Sequence, residues 1–303
     1  MTNHLKLTVI VIGYNMQREL PRTILSLSTA IQRDITADDY EIIIVDNGSS
    51  EPLNDKTLRQ MGANISFHRI TDATPSPVPA INHGLALARG DLVGVFIDGA
   101  RMASPRLLAT ALEAAQTHHR PVIGTLAFHL GPDVQSRSLA NGYCQQVEDQ
   151  LLASVDWVAD AYRLFDISVF ARSSARGWFA IPAETNALFL TRKHWHELGG
   201  YDPAFVAPGG GLANLDTWLR ACSDPTGCVI LLLGEATFHQ VHGGIATNTA
   251  QSNWQYFHDE YVRIRGMGYT APTGLPLLIG RLPPAILGSV QCSVESLQSD
   301  EMR

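Results

Sequence analysis

Side chains able to do chemistry recur in this chain directly after apolar runs. Gly13-Tyr14-Asn15 follows Leu7 to Ile12, Asp46-Asn47-Gly48-Ser49-Ser50 follows Glu41 to Val45, and Asp98-Gly99-Ala100 follows Leu92 to Ile97. An ionised carboxylate offers several acceptor sites and no donor, which suits it to a donor-rich ligand. Later, the stretch Thr237 to Gly244 carries His239 and His242 and ends in two glycines. The two histidines are three apart and share a face only if the segment is helical. Asp216 and Arg220 stand one helical turn apart, a spacing that suits an ion pair. Glu184 precedes a further apolar run, Asn186 to Leu190. The run Pro208 to Leu212, with three consecutive glycines, has the composition of a mobile loop that closes over a ligand.

The elements that must position these residues follow from the pattern. Leu7 to Ile12 is short, apolar and rich in β-branched residues, as a buried strand requires. Arg18 to Ile31 repeats Leu20, Ile24, Leu27 and Ile31 at spacings of three and four, an amphipathic helix with Pro21 in its first turn. Further strands are expected at Glu41 to Val45, Asn64 to Ile70, Leu92 to Ile97, Pro121 to Phe128, Asn186 to Leu190 and Val229 to Leu233. Helices are expected at Pro79 to Ala88, closed by Gly90, and at Pro105 to Ala115, Arg192 to Leu198, Asn214 to Cys222 and Gln251 to Arg265. Strands alternating with helices imply an α/β fold of three layers, α/β/α, with a mostly parallel central sheet. Ligands of such sheets bind outside the carboxyl ends of the strands, so the first three loops face one site.

Composition narrows the partners. The 303 residues suffice for one large α/β domain or two small ones, and 45% hydrophobic with 17% charged residues is ordinary globular composition. A net charge of -7 without a basic patch makes nucleic acid a poor partner. A small anionic ligand is compatible if a metal or local dipoles offset its charge. The first strand lacks GxGxxG, which argues against a nicotinamide dehydrogenase. Its loop also lacks the glycine-rich, Arg- or Lys-bearing pattern that a nucleotidyltransferase would need to hold a triphosphate. No segment reaches about 18 uninterrupted apolar residues, so no transmembrane segment is expected and the chain reads as soluble and cytoplasmic. Cys144, Cys222, Cys228 and Cys292 form no CxxC pair and are expected as free thiols. Gly131 to Gly177 is irregular and reads as a substrate-shaping insertion. The residues from Pro272 onward, with Pro276, Pro283 and Pro284, read as an extended tail on the body or on a neighbouring subunit of a homo-oligomer.

Five segments, taken in order, resemble family 2 glycosyltransferases. VIVIGYNMQRELPRTILSL is similar to their opening strand, loop and helix, and EIIIVDNGSS to their second strand and acidic turn. NHGLALARGDLVGVFIDGA resembles the stretch leading to their metal-binding acidic motif. NALFLTRKHWHELGGYDPAF resembles their later strand and helix with a Gly-Gly-aromatic-Asp turn, and LDTWLRA their acceptor-side helix. The resemblance covers residues 7–130 and 180–245. It implies a GT-A (Rossmann-like) domain over residues 1–245. Residues 1–130 would form the nucleotide-sugar-binding half and 131–245 the acceptor and metal half. A C-terminal helix and tail over 246–303 would follow. The implied reaction moves a sugar from a nucleotide-diphosphate sugar, a UDP-sugar by family frequency, to a hydroxyl of an unnamed glycan or small-molecule acceptor.

The resemblance also assigns roles by position. Asp46 and Asn47 match the turn that takes the base or ribose; the competing role of Asp46 is a simple Asx turn. Gly13, Tyr14 and Asn15 match the loop that packs on the base, and Tyr14 is alternatively core packing. Glu19, in the first helical turn, joins this group, or only complements the helix dipole. Asn82 and His83 match the helix bordering the diphosphate, although a lone histidine is also an ordinary helix residue. Asp98 matches the first carboxylate of Asp-x-Asp, which binds a divalent cation bridging the donor phosphates. Ala100 stands where the second carboxylate is expected. His242 is the compensating metal ligand, with His239 as the alternative, and manganese or magnesium suits the set. Inverting members usually carry Glu-Asp shortly before the acceptor-side helix, where this chain has Ala213 and Asn214. Asp216 is then a candidate catalytic base, or a helix cap, or the partner of Arg220. Glu184 is the second candidate base. A degenerate member that binds a nucleotide or glycan without turnover is the alternative function.

Overall fold

The computed structural model describes residues 4–51, 54–242 and 253–301. In chain order its elements are β1 (Leu7–Gly13), α1 (Glu19–Leu27), β2 (Tyr40–Asp46), α2 (Asp55–Gln60), β3 (Ile65–Arg69), α3 (Val78–Leu87), β4 (Leu92–Phe96), β5 (Arg101–Ala103), α4 (Leu107–Ala115) and β6 (Pro121–Leu130). They continue with α5 (Gln135–Ala140), α6 (Gln145–Ala153), β7 (Ser168–Phe170), β8 (Ala187–Thr191), α7 (Arg192–Leu198), α8 (Ala213–Cys222), β9 (Cys228–His239), α9 (Trp254–Arg265), β10 (Leu277–Gly280) and α10 (Leu287–Glu301).

The strand residues explain the layering. In β1, Leu7, Val9 and Val11 join one apolar cluster while Ile10 and Ile12 join another, and β2 divides Ile42 and Ile44 from Ile43 and Val45 in the same way. A sheet buried on both faces needs helices on both. The first cluster takes Leu20, Ile24 and Leu27 of α1 and Leu107, Leu108 and Ala111 of α4. The second takes Val78 and Ile81 of α3, Trp195 of α7, Trp218 of α8, and Phe257 and Tyr261 of α9. The three expected layers are present.

The sheet runs β10-β9-β6-β8-β4-β1-β2-β3, with β5 added on β9 and β7 on β6. Along the main path only β8 runs against its neighbours. Register aligns the carboxyl ends of the first strands, pairing Gly13 with Asp46 and Val11 with Phe96. Because β8 is antiparallel, its entry rather than its exit lies at this end, with Ala187 opposite Phe96. Glu184 is thereby delivered to the same rim as Asp46 and Asp98.

Several expected bounds shift. The strand expected at Val229 to Leu233 continues through a bulge to His239: Ile230 and Leu231 pair with Ile123 and Gly124, then Ala236 to His239 pair with Leu126 to His129. Gly234, at φ +84°, turns the strand between these parts, where a side chain would be strained. The short β5 and α2 were not expected. Gly131 to Gly177 is irregular only in part, since α5, α6 and β7 lie within it. It closes its own apolar cluster, with Phe128, Leu152, Phe165, Trp178 and Phe238. The extended tail is a correction. After Pro272 the chain adds β10 parallel to β9 and then forms α10. Its prolines punctuate that segment without keeping it extended. The helix expected from Gln251 begins at Trp254; Gln251 lies outside the described residues, as do Gly243 and Gly244. Among the described residues no helix is long and apolar enough to cross a membrane. All four cysteines are free.

Candidate functional site

Two loops at the carboxyl rim are tied to each other. Asn15 adopts φ +53°, and this left-handed turn lets its Oδ1 accept from the backbone N–H of Ser50 at 2.8 Å. In return Ser49 Oγ accepts from the N–H of Asn15 at 2.8 Å. Asp46 is fully buried; its Oδ1 accepts from the N–H and the hydroxyl of Ser49, at 3.0 and 2.6 Å. The side chain thus closes its own turn three residues on, not two as in an Asx turn. Its other oxygen, Oδ2, accepts no hydrogen bond and faces Arg69 Nη1 at 3.4 Å. One carboxylate therefore builds the turn through Oδ1 and, through its buried Oδ2, pairs with the Arg69 guanidinium. Asn47 is comparable: its Nδ2 donates to the carbonyl of Thr74, and its buried Oδ1 has no partner among the described residues. The carbonyl of Gly13 takes the N–H of Asn47. Tyr14 is 53% exposed, so it is not core packing.

The second group forms around Asp98. Its Oδ1 accepts from the N–H of Ala100 at 2.9 Å, and its Oδ2 takes Nε of Arg101, also at 2.9 Å. His239 Nε2 lies 3.9 Å from the same Oδ2 and 3.1 Å from Nε2 of His242. One ligand atom from each of Asp98, His239 and His242 falls within 4.8 Å of the others. No helix joins the histidines. His239 ends β9, and the next two residues are pinned so that the chain folds back. Gln240 Nε2 donates to the carbonyl of Glu19, and Glu148 Oε2 accepts from the N–H of Val241. Glu19 itself is buried and accepts from Arg18 and Gln145.

Electrostatics keep the imidazoles neutral. Burial, with the positive charge of Arg101 next, holds His239 well below its ordinary value. Burial also lowers His242, against a smaller upward pull from Asp98. Burial pushes the Asp98 carboxyl up, but Arg101, His242 and the hydrogen bonds to Oδ1 and Oδ2 outweigh it and leave the acid ionised. One anionic oxygen and two neutral imidazole nitrogens within reach of each other form a donor set for a divalent ion. His239 Nδ1 is buried with no partner among the described residues, so hydrogen bonding at that atom does not account for the placement of the ring. The residues fit a bound cation. Ala100 is fully buried in the core, so its position presents no side chain to the rim. Gly99 leaves no room either, because a Cβ there would lie 2.7 Å from Leu20 Cδ1.

Other expected residues divide sharply. Asp216 is 1% exposed and its oxygens are taken by Arg220 Nε at 2.8 Å and by Arg265 Nε and Nη2 at 2.7 Å each. Of the roles open to it, the structure shows the ion pair: the carboxylate joins α8 and α9 through Arg220 and Arg265. Asn82 is held at both ends by the backbone of Tyr201, and the exposed His83 lies against His68 with ring centroids 5.9 Å apart. Neither is brought to Asp98 by a contact. Glu184 is half-buried and its Oε1 accepts from Asn214 Nδ2 at 2.8 Å. Burial raises its carboxyl; Arg101 pulls it down and Asp98 pushes it up, so it lies within the field of the cluster. Two residues were missed. Arg101 and His129 face His239 from either side, through the pairings Arg101 to His239 and His129 to His239. Their sequence neighbourhoods carry no signal of this, since three separate strands bring them together.

Residues 8–172 match the family described as glycosyl transferase family 2. The chain belongs to glycosyl transferase family 2. A further relative, an uncharacterised glycosyltransferase of Nostoc sp. strain PCC 7120, is 33% identical over 127 residues, which span 39% of this chain and 38% of that protein. Among solved structures, S. aureus TarS 1-349 in complex with UDP-GlcNAc is 14% identical, with a TM-score of 0.54 over 97% of this chain and 72% of that one. The same protein in complex with UDP gives 15% identity and a TM-score of 0.52, covering 77% of this chain and 60% of that one. The family 2 chain thus has the GT-A type α/β fold, with its mostly parallel sheet.

Proposed function

We propose that this family 2 glycosyltransferase transfers a sugar from a nucleoside diphosphate sugar, of UDP type, to an acceptor hydroxyl, with a divalent cation held by Asp98, His239 and His242. The observation that carries this reading is the cluster of those three side chains at the same carboxyl rim as the Asp46 turn. The UDP and UDP-GlcNAc complexes of TarS support the choice of nucleotide. A bound cation would offset the negative charge that grows on the departing diphosphate. Two imidazoles favour manganese over magnesium.

The protein groups divide the remaining work. Asp46 accepts from the ribose or base, and the exposed Tyr14 covers the base. Glu184 takes the proton of the acceptor hydroxyl. Asn214, in the place where the family's carboxylate is expected, instead donates to Glu184 and to the carbonyl of Thr185, and accepts from Tyr201. The acid is thus moved from the helix to the loop before β8, and the asparagine orients it. A carboxyl raised by burial is a better base near neutral pH than an ordinary one.

Thermal unfolding with a panel of nucleotides and nucleotide sugars, with and without manganese, tests the proposal. One nucleoside diphosphate should raise Tm more with the metal than without it, and Asp98→Ala and His242→Ala should each abolish the metal-dependent part of the rise. No shift with any of them would sink the transferase reading. It would favour a glycan-binding module without turnover, a reading that the locked carboxylate of Asp216 favours.

A further inference from the structure

A cation already sits in this cluster. The Arg101 side chain is 9% exposed and spends one donor, Nε, on Asp98. Its two terminal amino nitrogens have no hydrogen-bond partner among the described residues. A guanidinium carries five N–H donors in a planar fork, so with only Nε engaged the terminal nitrogens of Arg101 are left for an incoming acceptor. Four unmet N–H groups beside an ionised carboxylate and neutral histidines describe a half-built anion site. The charge of Arg101 also reaches His129, His239, His242 and Glu184, which places it centrally among the groups that flank the rim.

We propose that Arg101 is the built-in cation of the donor site, and that its free fork binds the diphosphate of the nucleotide sugar. The inference rests on the reading of this rim as the donor site. A planar fork matches two phosphate oxygens at once, which an ammonium does not. The pairing of β5 with β9 fixes Arg101 directly opposite His239, so the fork and the candidate metal ligands address the same group. Asp98 Oδ2 is shared between the guanidinium and any divalent ion. A metal that claims this oxygen also releases the remaining donor of Arg101 toward phosphate. Arg101 thereby offsets charge that a second carboxylate-bound ligand shell would otherwise have left to the metal alone.

Calorimetric titration of the full chain decides it, using UDP, inorganic pyrophosphate and manganese alone as probes. Wild type should bind UDP and pyrophosphate even with EDTA present. Arg101→Gln should weaken both by about tenfold to a hundredfold, the loss expected for charged hydrogen bonds. Arg101→Lys, which keeps the charge but not the fork, should fall between them and carries the test if Arg101→Gln does not fold. Manganese alone should bind Arg101→Gln more tightly than wild type, because Asp98 Oδ2 is freed. Equal pyrophosphate and UDP affinities in wild type and both variants would overturn the role of Arg101 while the donor site stands. A wild type that binds UDP under no condition would overturn the donor-site reading itself.

Discussion

Asp98, partly buried, and Asp216, fully buried, both lie beside arginines, yet the molecule uses them in opposite ways. Asp216 is complete: Arg220 and Arg265 occupy both oxygens, and nothing about it calls for a ligand. Asp98 is partial: one arginine touches it through a single nitrogen, and two neutral imidazoles stand by with lone pairs. In sequence both are acids near glycine-rich or polar turns. Their difference is the number of partners that tertiary structure supplies. A buried charge with all its partners is a fastener, and one with some of them is a receptor.

The largest expected effect falls on the fastener. Asp216→Ala leaves two guanidiniums facing an empty position and should cost about 3–5 kcal/mol of unfolding free energy, the range for breaking a buried pair. Urea denaturation measures this, and UDP affinity of the folded fraction should be unchanged. A variant that keeps its stability but loses catalysis would erase the contrast. Next, Glu184→Gln should lower kcat by roughly 100- to 10,000-fold while leaving the donor Kd as it is. Steady-state kinetics beside calorimetry separates the two, and an equal loss in Kd would move Glu184 into the donor site.

The smallest effect concerns the support beneath His242. Burial raises Glu148 to about 6, against the opposing pull of the Val241 N–H and Arg18. A carboxyl raised in the folded state binds its proton more tightly there than when unfolded. The stability it contributes is therefore full below its ordinary value near 4.5 and is lost as pH rises through about 6. The size is about 2 kcal/mol, from roughly 1.36 kcal/mol per unit. Unfolding curves between those limits should show this slope in wild type and not in Glu148→Gln. Matching slopes in the two proteins would remove Glu148 as the titrating group.

The fold was legible because β1, β2 and β4 are continuous apolar runs, a pattern that only a sheet covered on both faces satisfies. The second half of β9 was not, since Gly234 and Glu235 interrupt its run and only the bulge carries it across. The helix α10 was hidden by the prolines before it and by its small, polar residues. Within the candidate site, the positions of Asp46, Asp98 and His242 were legible because each follows a strand or its turn directly. Arg101 and His129 could not, because cross-strand register, not spacing, sets them beside His239. Asp216 had its ion-pair role open from the start through Arg220, but Arg265, from another helix, was needed to close it.

The antiparallel β8 has a consequence for how the chain is made. It is the link between β4 and β6 in the sheet, although about 90 residues separate β4 from it in the sequence. A nascent chain that has emerged through residue 130 can pair β1 to β4 but has no neighbour for the far edge of β4. The apolar backbone of Leu92 to Phe96 then remains an open template until Thr191 leaves the ribosome. This interval during synthesis is where a chaperone would matter most.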